Sequence, residues 1–161
     1  MLDHLSSRRK DEIQLPINPP MSKAQSLMVP VSAGDLLDKI TILRLKASKI
    51  KRHEALVNVQ NELKALENVQ HQAQELLQGH QQEELTAKLQ QINKRLWEVE
   101  DLLRLRETEN RFDDEFIQLA RSVYHLNDQR AVIKRKINEA CGSKLIEEKS
   151  YGEKRRPDNP K

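Results

Sequence analysis

The feature that most constrains this chain is the run Ser32 to Ile50, SAGDLLDKITILRLKASKI, which is apolar on two sides of a helix. At about 100° per residue, Leu36, Ile40, Leu43, Ala47 and Ile50 form one stripe. Ile42 and Leu45 fall on the opposite side. A helix apolar on two faces is covered on both, so this segment is the expected central helix of the fold. Ser32 is placed to cap it, and Asp35, three residues on, answers as the acid of a capping box. Asp38 breaks the pattern. It lies on the side of Ile42 and Leu45, one turn before them, and marks where chemistry would sit if the chain has any.

Helices are favoured throughout. Aromatic residues make up 3% of the 161 and glycines number 4, while Leu, Gln, Glu and Lys abound. Such a composition gives a narrow aliphatic seam between long helices and no broad aromatic centre. The length fits one domain with tails. The net charge of +3 needs no explanation beyond solubility. One Cys allows no internal disulfide and fits a reducing compartment. No run reaches the roughly 18 to 20 apolar residues of a membrane span. Arg8, Arg9 and Lys10 are not followed by an apolar segment, so no secretory signal is expected. A cytoplasmic location follows as the default.

Pro16, Pro19 and Pro20 break any helix in residues 1–28, which read as a disordered tail, and Met1, Met21 and Met28 are all candidate starts. Val29-Pro30-Val31 is an extended lead-in. The central helix is expected to run to about Arg52, with a break at Arg52-His53-Glu54. A second helix, about Glu54 to Gln78, carries Leu56, Val59, Leu63, Leu66, Ala73 and Leu77. Gly79 ends it. A third, about Gln82 to Glu107, carries Leu85, Leu89, Ile92, Leu96, Val99 and Leu103. Both stripes step by three and four, the knobs-into-holes pattern of a coiled coil. Two helices of equal length around a short turn predict an antiparallel hairpin. Asp113 caps a fourth helix that runs to about Cys141, with Phe112 expected to staple onto Ile117 and Gly142 placed to end the helix. Residues 143–151 read as an extended strap, completing a domain over 29–151. Residues 152–161 read as a second disordered tail.

A polar string runs down the inward face of the fourth helix. Asn127, Arg130, Lys134 and Asn138 share that face with Phe116, Leu119, Val123, Leu126, Ile133, Ile137 and Cys141. An inward Arg must find carboxylates, because an unpaired buried charge is very costly. Asp38 and Glu100 are the expected partners of Arg130 and Lys134, with Asp101 on the flank beside Trp97 and the amides of Asn127 and Asn138 filling in. Two readings follow. One is a satisfied network that fixes helix order and register. The other is a pocket between helices in which Arg130 and Lys134 grip a carboxylate or phosphate.

Other chemistries find less support. His4, His53, His71, His80 and His125 show no metal-binding spacing, so no metal and no cofactor is expected. Cys141 reads as a small buried hydrophobe. The basic runs at 134–136 and 154–156 are flanked by acids or amides and lack interleaved aromatics, so nucleic acid is not expected as a partner. There is no glycine-rich phosphate loop and no nucleophile elbow.

Four blocks, VPVSAGDLLDKITILRLK, LWEVEDLLR, ARSVYHLNDQRAVIKRKIN and GSKLIEEKSY, resemble an uncharacterised family of small bacterial helical proteins, a domain of unknown function. Its opening is of the VSxGELxDKITIL type and its ending of the EEKSY type. The resemblance spans Val29 to Tyr151. Asp35 stands where the opening has Glu, and Arg44 where it has an acid. The resemblance implies no activity, but implies a link to surface-polysaccharide synthesis. Its motif residues on the polar layer are Asp38, Lys39, Thr41, Glu100, Asp101, Asn127, Asp128, Arg130 and Lys134. The sequence therefore predicts an all-α antiparallel bundle of four helices with a long helical hairpin. Its leading function is a non-catalytic interaction or scaffold module that binds a partner protein or itself. The alternative is an enzyme or sensor for a small anion.

Overall fold

The computed structural model describes residues 28–73 and 79–149, without the side chain of His80. The expected tails lie outside the described residues, apart from Met28, as does the last part of the second helix. Among the described residues all regular structure is helical: α1 (Ala33–Lys49), α2 (His53–Gln72), α3 (His80–Thr108) and α4 (Asp114–Ala140).

The ends of the helices follow local chemistry. At the start of α1 the Asp35 N–H donates to Ser32 Oγ at 3.1 Å. The Ser32 hydroxyl in turn donates to the Asp35 carboxylate at 2.6 Å, where a full capping box would bond the backbone. Ile50 turns extended, so α1 stops there and the break falls at 50–52, slightly earlier than expected. Asp113 caps α4 by accepting the Phe116 N–H at 3.1 Å. Phe112 packs edge-on against Phe116, centroids 5.2 Å apart, and Ile117 stays exposed, so the staple lands one residue early. Ring-on-ring contact outcompetes the aliphatic partner. Gly142 takes φ +61° and closes α4, with the Ser143 N–H donating to the Asn138 carbonyl at 2.8 Å.

Helix α1 is the centre of the bundle, packing against each of the other three. Leu37, Ile40 and Leu43 are fully or almost fully buried. The long hairpin is formed by α3 and α4, joined through residues 109–113. This corrects the expected pairing of the second helix with the third. Helix α2 folds back on α1 across a three-residue link and does not approach α3 closely among the described residues. The physical reason is that α1 needs cover on two sides, and one of them takes the α2 stripe. Leu63, Leu66 and Ala73 pack there against a cluster of Leu36, Leu37, Ile40, Leu85, Leu89 and Ile137. A second cluster, Ile92, Leu96 and Leu126, lies further along the α3–α4 seam.

Candidate functional site

The polar layer sits at the level where the two apolar clusters meet. Asp38, projecting from α1, is 5% exposed. Arg130 reaches it from α4: Nε donates to Oδ1 at 2.9 Å and to Oδ2 at 3.1 Å, and Nη2 donates to Oδ2. The third member comes from α3. Asn93 Nδ2 donates to Asp38 Oδ1 and to Thr41 Oγ1, both at 2.9 Å. Thr41 Oγ1 donates to the Asp38 carbonyl at 2.8 Å. Three helices are thereby tied through one carboxylate. Hydrogen bonding to Asp38 is the largest influence on Arg130 and raises its pKa, so the guanidinium stays charged.

Several residues expected in this layer stand elsewhere. Glu100 lines the groove beside Arg130 but pairs with Arg104 one turn along α3, at 3.0 Å. Asp101 also reaches Arg104, at 3.6 Å, and is exposed. The misplacement has a simple cause. Asp38 supplies the opposite charge that Arg130 needs, so the remaining place takes an amide and not a second charge. Lys134 forms its own cluster a turn away, with Asp35 at 2.7 Å and with Glu147. Burial pulls the Lys134 pKa down, but its two carboxylates outweigh burial and raise it overall. Asp35 is held below its ordinary value although burial works against this; Lys134 and Ser32 hydrogen bonds prevail. Asn138 accepts the Gly34 N–H at 2.6 Å and so caps α1 from α4. Lys39 pairs with Glu62 of α2 on the surface. Asp128 is exposed. Burial pushes up the pKa of the half-buried Cys141 thiol, which suits an apolar filler.

Beside Arg130 lies a groove of about 390 Å³ between α1, α3 and α4. Ile42, Leu45, Leu96 and Trp97 are its apolar lining, joined by Asn93, Asn127 and Arg130. Lys46, Glu100, Asp101 and Arg104 complete it. Arg130 spends Nε and Nη2 on Asp38. Nη1 makes one long bond, 3.4 Å, to Asn127 Oδ1. The Arg130 side chain is 27% exposed, and it lines the groove.

Residues 27–160 match a protein family described as a family of unknown function (DUF6165). The chain belongs to this family. The DUF6165 match contains all four helices, the polar layer and the groove. No curated protein and no solved structure matches the chain. Among the described residues no helix is long and apolar enough to cross a membrane, and no group of His, Cys, Asp and Glu could hold a metal ion.

Sequence reasoning missed Asn93 and Gly34. Asn93 sits four residues after Leu89 and three before Leu96, on the apolar stripe itself, and that spacing was its signal. Gly34 carries no such signal. A Cβ there would lie 2.6 Å from the Lys134 carbonyl oxygen, a contact set 100 residues away.

Proposed function

We propose that this chain is a non-catalytic binding module that takes a small anionic ligand in the groove between α1, α3 and α4. The observation that supports this is the state of Arg130. Its guanidinium is aimed and held by a buried carboxylate, its Nη1 makes only a long 3.4 Å bond to Asn127, and the residue lines a groove with Ile42, Leu45, Leu96 and Trp97 among its walls. Pockets of this size are the usual form of small-ligand sites. An anionic group would dock on Arg130, with Lys46 at the rim, and an apolar portion would lie on Trp97, Leu96 and Ile42. An arginine pre-oriented by a neighbour loses little entropy on engaging a ligand.

Trp97 is the chain's one tryptophan, so its fluorescence reports on the groove directly. Titration with inorganic phosphate and with hexanoate is expected to shift its emission saturably for at least one of them. Lys46→Gln is expected to weaken that response several-fold, and Arg130→Gln to remove it. No response to either anion, or a response unchanged in both variants, would overturn the reading.

A further inference from the structure

The surface of α4 beside Lys134 and Arg135 is already occupied, by residues 143–149 of the same chain. This strap leaves α4 at Gly142 and runs back along it. Glu147 meets Lys134. Glu148 presents both carboxylate oxygens to Arg135, each 3.2 Å from a guanidinium nitrogen. Lys149 Nζ donates to the Asn127 carbonyl at 3.2 Å.

What holds the strap is polar. Leu145 and Ile146, its large apolar side chains, are each 44% exposed. An open space of about 230 Å³ remains between its end and α4, lined by Ala131, Val132 and Arg135. No strap residue belongs to either apolar cluster. Its departure strands no charge, because Lys134 keeps Asp35 at 2.7 Å and Arg135 keeps Glu139 at 3.5 Å. The Arg135–Glu148 pair is exposed on both sides, weak and screened by salt, whereas Lys134 is 13% exposed and its Glu147 partner 45%.

We propose that Lys134 and Arg135 form a docking surface for an acidic peptide segment of a partner protein, and that the strap is a built-in stand-in for it. The strap shows the chemistry of the occupant: two adjacent carboxylates on extended backbone, followed by a lysine that reaches a backbone carbonyl. A nucleic acid fits poorly, because Asp35, Asp128 and Glu139 stand around the same surface and repel a polyanion. The tethered strap competes at an effective concentration in the millimolar range, so a partner segment gains access when the strap is weakened.

The test uses the full chain and a fluorescently labelled peptide, SKLIEEKS, read by anisotropy. A double variant, Glu147→Gln with Glu148→Gln, changes only exposed side chains, and circular dichroism verifies its helices. It is expected to bind the peptide on the order of tenfold more tightly than the unchanged chain. Adding Arg135→Ala is expected to cancel the gain, and the peptide SKLIQQKS is expected not to bind. Absence of binding to the double variant, or equal binding of both peptides, would overturn the proposal. So would a gain that survives Arg135→Ala, or tighter binding of a DNA oligonucleotide than of the acidic peptide.

Discussion

Gly34 illustrates how much one residue decides. It lies in the first turn of α1, where its N–H donates to Asn138 Oδ1 and its Cα faces the Lys134 carbonyl. Alanine would favour the helix by about 0.5–1 kcal/mol. Its Cβ, however, would stand 2.6 Å from backbone that cannot rotate aside. Overpacking of this kind costs about 1–3 kcal/mol. We expect Gly34→Ala to lose on the order of 1 kcal/mol in urea unfolding, the midpoint of the overpacking cost less that of the helix gain. Unchanged or increased stability would mean that α1 can slide along α4 at no cost. Residues that act within one helix were legible in the sequence: Ser32 and Asp113 as caps, Gly142 as a terminator. Residues that act across helices were legible only when they broke a pattern. Asp38 and Arg130 did so, as charges on apolar faces. Asn93 broke its stripe too, but an amide is a quieter exception than a charge, and Glu100 was preferred in its place. Gly34 breaks nothing and could not be found that way.

The helices differ in how firmly they are held. α1 buries Leu36, Leu37, Asp38, Ile40, Thr41 and Leu43 and meets every other helix. Among the described residues α2 contains no buried side chain and closely approaches only α1. Its exposed pairs with α1, Lys39–Glu62 and Arg44–Glu67, add little, since surface ion pairs contribute about 0–1 kcal/mol each. Local opening follows burial and contact density. We therefore expect amide hydrogens in α2 to exchange faster than those in α1, with the slowest protection around Leu37 to Leu43. Equal protection in α1 and α2 would show that α2 is covered by something further, such as a second copy of the chain. The stripe of α2 announced a helix and an inward face. It did not announce which neighbour that face would meet, because stripes on α2 and α3 share the same three-and-four spacing and either fits a generic partner.

At the scale of the molecule, two small aliphatic clusters are joined by one polar layer, and that layer decides how three helices sit together. The fold class follows from composition and periodicity. The arrangement follows from Asp38, which receives Arg130 from α4 and Asn93 from α3 at nearly the same depth. A carboxylate so placed excludes alternative registers, since any slip leaves a buried charge without its partner. The groove adjoins the same layer, and Arg130 belongs to both.

The most direct test of this account is a double-mutant cycle on that pair, Asp38→Leu and Arg130→Met, read by urea unfolding. Each single change is expected to cost several kcal/mol, about 2–4, because it leaves the other charge without its partner. The double variant is expected to recover much of that loss, giving a coupling of about 1.5 kcal/mol or more. If the two changes instead add within about 0.5 kcal/mol, the residues act independently. Asp38 and Arg130 would then not be the link that orders the bundle.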